Sequence, residues 1–399
     1  MNSKTPTPVL TEEARPALVP KLRFPEFQEA QEWTLGAGDT LFDQVNDRNP
    51  DPGLPVLAIT QEHGAIPRHM IDYHVSVTEK SIESYKVVRV GDFIISLRSF
   101  QGGIEYSRYH GICSPAYVIL RRRGKGSDEY FRHYLKTDRF VRILTRNLEG
   151  LRDGKMISYA QFSELLLPIP KPAEQQKIAE CLSSVDELMA AQARKVAALK
   201  THKKGLMQQL FPREGETQPR LRFPEFEGEW NDATLGELCF SVSSGKDTRE
   251  SDGAFDLYGS TGVIGKTAYA SYDTPHILVA RVGANAGHLT KASGQFGVTD
   301  NTLIIRLKPV VSIDYIFHYL GNININKLIF GSGQPLITGS ILKARRVLLP
   351  AASEQCKISI SLSTIDVLIN AESDKLEALK VQKKGLMQQL FPSPAEVEA

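Results

Sequence analysis

Much of this chain is written twice, and that constrains its fold more than anything else in it. Arg23-Phe24-Pro25-Glu26-Phe27 recurs as Arg222-Phe223-Pro224-Glu225-Phe226. Each copy is followed by a tryptophan, Trp33 or Trp230, and then by Thr-Leu-Gly. The string KKGLMQQLFP at Lys203–Pro212 recurs unchanged at residues 383–392. An identical decapeptide marks an internal repeat, and a repeat dictates the architecture. The offset is 199 at the front (23 to 222) and 180 at the back (203 to 383), so the flanks match while the middles differ. The layout is variable block, shared helix, variable block, shared helix.

The shared segments carry a heptad seam. Ile178, Leu182, Val185, Met189, Gln192, Val196, Leu199, Lys203, Leu206 and Leu210 recur in steps of four and three. The second copy gives Ile358, Leu362, Ile365, Ile369, Glu372, Leu376, Leu379, Lys383, Leu386 and Leu390 with the same steps. More than four heptads of such spacing predict a coiled coil. Pro170, Pro172 and Pro350 precede the helices, and Phe211-Pro212 and Phe391-Pro392 stop them. A helix of ~38 residues spans ~57 Å and needs a partner along its length; the other copy is the obvious one. The polar seam positions, Gln192 with Glu372 and Lys203 with Lys383, would fix register and orientation. If a two-fold axis relates the copies, the helices run antiparallel. The covalent junction at 208–226 is then reproduced in space by residues 388–392 meeting residues 22–27.

The variable blocks read as mixed α/β. In the first, Val87–Val90, Gly91-Asp92 and Phe93–Leu97 suggest strand, tight turn, strand; Ala116–Leu120 suggests another strand, and 128–147 has helical periodicity. In the second, His276–Val282 and Thr302–Leu307 are strand-like and 314–330 is helical. The fold class expected is α+β: two globular blocks separated by two long antiparallel coiled-coil helices, with an internal pseudo-two-fold repeat. Boundaries fall at a disordered lead (1–21), a first block (22–170), a first helix (171–212), a linker (213–221), a second block (222–350), a second helix (351–392) and a tail (393–399).

Composition narrows the function. With 399 residues, 41% hydrophobic and 24% charged, the chain can build several cores. Its net charge of +2 excludes a polycation but not a local basic surface. No apolar run reaches a membrane span, and the polar, Pro-rich start does not read as a signal peptide. Four scattered cysteines form no CxxC pair, which argues against a zinc site or a disulfide framework and fits a cytoplasmic location. Gly259–Thr267 resembles a phosphate-binding loop, but five residues rather than four separate Gly259 from Gly265, and no amphipathic helix follows. The nine histidines form no i, i+4 metal pair, and no catalytic triad is evident. No catalytic residue and no metal site is therefore expected.

What remains is charge in loops. Residues 121–155 hold eleven Lys/Arg against five Asp/Glu, a local +6 with interspersed aromatics, which suits a phosphate backbone. Arg98–Gly103 follows a strand end, where Arg and Gln can read base edges. Tyr258–Lys266, Arg281–Asn285 and Gln334–Thr338 are similar loops. The candidate DNA-binding residues are Arg98, Ser99, Gln101, Arg108, Arg121, Arg122, Arg123, Arg152, Lys155, Lys246, Tyr258, Thr261, Lys266, Arg281, Asn285, Gln334 and Thr338.

Pro170-x-Pro172-x-Glu174-Gln175-Gln176-Lys177-Ile178-Ala179, opening a long helix, resembles the specificity subunit of type I restriction-modification systems. So do Glu354-Gln355-Cys356-Lys357-Ile358, Gly91–Arg98, Gly111–Tyr117, the Arg-Phe-Pro-Glu-Phe lead-ins and the Gly-Leu-Met-Gln-Gln-Leu-Phe-Pro helix ends. Cys356 and Ser359 stand where the family usually has Gln and Ala. The resemblance implies that each block is a target-recognition domain for one half of a split, asymmetric double-stranded DNA site. The helices would set the spacing and dock two modification (adenine methyltransferase) subunits, which bind S-adenosylmethionine. Two restriction subunits, binding ATP and Mg²⁺, would join them; this chain would hold no cofactor and do no chemistry. The alternative is a non-catalytic coiled-coil scaffold without DNA specificity, which would lack the steep salt dependence of a DNA reader.

Overall fold

The computed structural model describes residues 18–71, 84–146, 157–323, 325 and 336–392. Candidates Arg152, Lys155 and Gln334, most of the N-terminal lead, residues 326–330 of the expected second-block helix and the tail from 393 lie outside the described residues. The chain forms two compact units: Met1–Ala191 with Leu376–Ala399, and Gln192–Lys375. Each unit thus contains one variable block and a part of both long helices.

The first unit runs β1 (Thr34–Ala37), α1 (Gly38–Leu41), β2 (Phe42–Val45), β3 (Leu57–Thr60), β4 (Gly64–Pro67), β5 (Lys86–Val88), β6 (Phe93–Ile95), α2 (Ser99–Gly102), β7 (Glu105–Tyr106), β8 (Gly111–Cys113), β9 (Val118–Arg122), α3 (Asp128–Tyr134), α4 (Asp138–Arg146), α5 (Tyr159–Ser163) and β10 (Leu166–Ile169), and then enters α6 (Pro172–Leu210). Its main sheet is antiparallel in the order β2-β9-β6-β7; β3–β4 is a hairpin, and β5–β8 and β1–β10 are further pairs. The strand–turn–strand expected around Gly91 needs correcting. β5 and β6 flank a tight turn at Gly91 (φ 95°) but do not pair with each other. All three residues of each strand are buried, so each takes its own partner, and the chain crosses between sheets at the turn. The helical stretch from 128 splits into α3 and α4, where the Thr137 hydroxyl accepts from the Phe140 N–H at 3.1 Å.

The second unit runs β11 (Asn231–Thr234), α7 (Leu235–Leu238), β12 (Cys239–Ser244), β13 (Phe255–Gly259), β14 (Gly262–Thr267), β15 (His276–Ala280), β16 (Leu289–Ala292), β17 (Phe296–Val298), β18 (Thr302–Leu307), α8 (Ile313–Asn322), α9 (Gly339–Lys343), β19 (Arg346–Leu349) and α10 (Ala352–Leu390). Its main sheet, β12-β18-β15-β16, has the same order and sense as that of the first unit. Gly259–Thr267 is the turn and second strand of the β13–β14 hairpin, not a strand–loop–helix. Among the described residues, no helix is long and apolar enough to cross a membrane.

α6 and α10 each have 39 residues, and every seam position read from the heptads is buried or half-buried. In the first unit the start of α6 meets the end of α10: Ile178 and Leu182 share a core with Leu386 and Leu390, and Asp186 pairs with Lys383 at 2.6 Å. In the second unit the ends exchange roles: Leu206 and Leu210 pack with Ile358 and Leu362, and Lys203 pairs with Asp366 at 2.6 Å. The helices therefore pair antiparallel. Gln192 meets its repeat counterpart Glu372, donating from Nε2 to a carboxylate oxygen at 2.7 Å. Lys195 and Lys375 hold the same carboxylate at 2.9 and 3.1 Å. Hydrogen bonds from Gln192, then Lys195 and Lys375, lower the Glu372 pKa to about 2.

The repeated motifs stitch each block to the helices. Arg23 forms a bidentate pair with Glu174 at 2.7 and 2.8 Å and donates to the Ala30 and Gln31 carbonyls; Arg222 does the same with Glu354 at 2.8 and 2.9 Å and with Glu227 and Gly228. Gln175 and Gln355 donate to the Pro170 and Pro350 carbonyls at 2.9 and 3.0 Å. Phe391 packs on Tyr130 and Tyr134, and Phe211 on Tyr315 and Tyr319. His133 and His318 share hydrogen bonds with Ser183 and Ser363 at 3.2 and 3.1 Å, and burial lowers their pKa values to about 2 and about 4, keeping both neutral near pH 7. The Leu22 N–H donates to the Gln389 carbonyl at 2.9 Å, as Leu221 does to Gln209 at 3.0 Å. The expected meeting of residues 22–27 with 388–392 is therefore present, without a peptide link.

Two outcomes follow from these joints. Arg23→Ala leaves a carboxylate 1% exposed without its cation, which costs about 3–5 kcal/mol; Arg222→Ala costs less, because the Arg222 side chain is 22% exposed. Urea melts of the two variants check the ranking. A permuted chain with Pro392 linked to Leu18 and opened within 213–219 is expected to keep the parent's circular dichroism and cooperative melt; a non-cooperative melt would contradict the joint at 22 and 389.

Candidate nucleic-acid interface

In each unit two exposed polar segments occupy equivalent places. The first is the loop after the third strand of the main sheet. In the first unit it leaves β6, turns where the Ser96 N–H donates to the Ser99 hydroxyl at 2.9 Å, and forms the short α2. Ser99 is buried in that turn, while Leu97, Arg98, Phe100 and Gln101 are exposed. Gly103 closes the loop at φ 80°, where a Cβ would lie 2.1 Å from the Leu135 carbonyl; glycine is needed there for packing, not for a ligand's approach. In the second unit the loop leaves β15 at Arg281 and turns through Gly283–Asn285, with Asn285 exposed. Arg281 is half-buried: its carbonyl accepts from the Ile337 N–H at 2.8 Å, and its Nη1 reaches the Asp300 carbonyl at 3.5 Å. This brings it beside Thr338, whose hydroxyl accepts from the Ile341 N–H and caps α9.

The second segment is a hairpin tip. Gln61–His63 joins β3 to β4, and its Gln61 Nε2 donates to the Arg98 carbonyl at 3.3 Å, so tip and loop touch. In the second unit Ser260–Thr261 joins β13 to β14, with Thr261 exposed. The hairpins correspond because each runs parallel to an equivalent strand, through the Val56–Ile112 bridge in the first unit and the β13–β17 pairing in the second. Gln61 and His63 were not among the sequence candidates. Gly64 after the Leu57–Thr60 strand was the available turn signal.

The remaining candidates divide by their partners. Arg121 forms a bidentate pair with Asp92 at 2.7 and 2.8 Å. Arg122 binds Asp128 and the Gly126 carbonyl, and Arg123 binds Asp43 and the Asp39 carbonyl. Arg132 is held by Glu129 and Asp186, and Lys136 by Glu105. Arg121, Arg122, Arg132 and Lys136 thus serve partly buried internal pairs, whereas the Arg123–Asp43 pair lies on the surface with side chains 53% and 48% exposed. Arg108 is exposed, with a 3.5 Å contact to Glu129. Tyr258 lies edge-on to Phe296 with ring centroids 5.4 Å apart, at the rim of a core. Lys266 pairs with Asp256 at 2.8 Å on the exposed hairpin. Lys246 is exposed beside the β12 end.

Against known families, residues 35–201 and 227–381 match the Type I restriction modification DNA specificity domain. The chain belongs to this family, and carries two copies of its domain. It is 28% identical over 158 residues to the type I restriction enzyme EcoprrI specificity subunit of Escherichia coli, covering 38% of this chain and 39% of that protein. It is 23% identical over 365 residues to the MjaVIII specificity subunit of Methanocaldococcus jannaschii, covering 81% and 83%. The fold resembles the crystal structure of the type I restriction-modification S subunit from M. genitalium, with a TM-score of 0.59 at 16% identity, covering 94% of this chain and 100% of that one. The chain is a type I restriction-modification specificity subunit built on two DNA specificity domains.

The internal pairing of the arginines generates a prediction. Asp92 is 1% exposed, so Arg121→Ala strands a buried carboxylate and is expected to cost up to about 3 kcal/mol while leaving the recognised DNA sequence unchanged. Thermal melts and methylation mapping check the two halves; a changed recognition sequence would return Arg121 to the DNA interface.

Proposed function

We propose that each unit reads one half of a bipartite DNA site and that the paired helices hold the two readers at a fixed spacing. One observation carries this reading: the units share a sheet order and the same stitching to the helices, yet present different exposed loops and hairpin tips. Sequence is read by side chains reaching base edges, so unlike loops on like frames select unlike half-sites. The repeated outer faces of α6 and α10 suit two copies of one partner, the adenine methyltransferase subunits. These would bring S-adenosylmethionine, and two restriction subunits would bring ATP and Mg²⁺, in the cytoplasm where the DNA lies. No step of the chemistry is assigned to this chain.

Methylated adenines mapped in the source cell, with and without this gene, should show one split motif that depends on it. Replacing residues 24–170 by the corresponding block of a relative is expected to change one half of that motif and leave the other half intact, because distant independent sites act additively. A change in both halves would contradict the assignment of one unit to one half.

A further inference from the structure

Each unit has a basic cleft between the repeated lysines near the end of a long helix and the elements that carry its reading loop. In the second unit Lys200, Lys203 and Lys204 face Leu289, Phe317 and Asn322 across a cavity of about 600 Å³. Leu289 opens β16 directly after the Arg281–His288 loop. In the first unit the counterparts Lys380, Lys383 and Lys384 face Asp138, Arg139 and Arg142 of α4 across about 400 Å³. The α2 turn that bears Gln101 packs on that same α4. The second unit's cleft thus borders the strand that follows its proposed base-reading loop, and the first unit's cleft is lined by the helix on which that loop's turn packs.

The charges divide into fixed and available ones. Lys203 and Lys383 are half-buried and held by Asp366 and Asp186 at 2.6 Å. Lys200 and Lys204 are exposed. Among the described residues, Lys380 and Lys384 pair with exposed partners, Glu377 at 2.7 Å and Asp138 at 3.0 Å. Exposed pairs contribute little to stability and yield readily to a stronger anion. The lysines come from segments that match between the repeats, whereas the adjoining loops differ. A ligand taken equally by both clefts must be indifferent to the sequence each loop selects.

We propose that the two clefts clamp the phosphate backbone of the DNA beside each half-site, independently of base sequence, through Lys200 and Lys204 in one unit and Lys380 and Lys384 in the other. This rests on the reading of the units as DNA readers and adds a division between loops that specify and lysines that position.

The test uses the whole chain assembled with its modification subunits. The duplexes are one bearing the motif mapped by methylation and one of equal length with that motif scrambled. Lys200→Gln with Lys204→Gln, and separately Lys380→Gln with Lys384→Gln, should weaken binding to both duplexes by the same factor. Each pair should flatten the slope of log affinity against log salt by about 1–2, at roughly 0.9 for each phosphate that is no longer neutralised. The methylated motif and the thermal midpoint should stay as they are. An unchanged salt slope, or an altered motif, would overturn the proposal. Loss of the modification subunits on size exclusion without DNA would also overturn it and make the clefts protein-docking sites. A parent assembly that does not prefer the motif duplex would instead sink the underlying reading of the units as DNA readers.

Discussion

A buried carboxylate at the start of each long helix governs the rest of the structure. Glu174 and Glu354 are each 1% exposed, and a carboxylate so placed requires a cation. The cation arrives from far along the chain: Arg23 is 151 residues from Glu174, and Arg222 is 132 from Glu354. Bringing that arginine in lays the lead-in across the helix start, with Phe24 and Phe223 under Lys177 and Lys357. The lead-in then meets the end of the other long helix, through Leu22 and Gln389 in one unit and Leu221 and Gln209 in the other. Those contacts demand antiparallel helices, and the helix seam agrees. The exposed ends of the blocks carry none of this framework, and their sequences are free to differ.

The framework was legible because it is built from long-period patterns. Heptads from Ile178 to Leu210 and from Ile358 to Leu390 specified two helices, and the matched ends specified antiparallel pairing. β18 matched its apolar run at Thr302–Leu307. Strand partners were less legible: β5 and β6 look like a hairpin because they lie beside a tight turn, but strand pairing depends on what covers each face. The loops gave mixed returns. Arg98 and Gln101 stand exposed after β6 as their position suggested, and Thr261 and Asn285 occupy exposed turns in the second unit. Arg121, Arg122 and Arg123 each hold an acid that the sequence did not reveal, because a run of cations reads as surface charge until its acids are found. Asp92, Asp128 and Asp43 are scattered along the sequence and converge only in the fold. Gln61 went unnoticed because its placement beside Arg98 depends on a hairpin folding back across 37 residues.

The same two layers explain where substitutions should matter. A change at Arg23, Glu174, Tyr130 or Phe391 disturbs the tie between block and helix, and its effect is on stability. Gln61, Arg98, Thr261 and Asn285 are exposed, so a change there should cost little stability, and under the proposed reading it would alter what the surface recognises. Phe391 belongs to the first kind although it lies near the chain's end, because its ring sits between Tyr130 and Tyr134.

Gln192 and Glu372 occupy the same place in the two repeats and face each other. Were the first repeat to pair with a second copy of itself, two amides would meet there with two lysines at Lys195 and no acid between them. The second repeat paired with itself would bring two carboxylates together, and although each keeps Lys375 beside it, their repulsion would raise the pKa of one and cost stability. Only the unlike pairing sets one acid between Lys195 and Lys375 and gives it an amide donor. The two halves of this duplicated chain have thereby become complementary, so that each is the other's fitting mate and neither is its own.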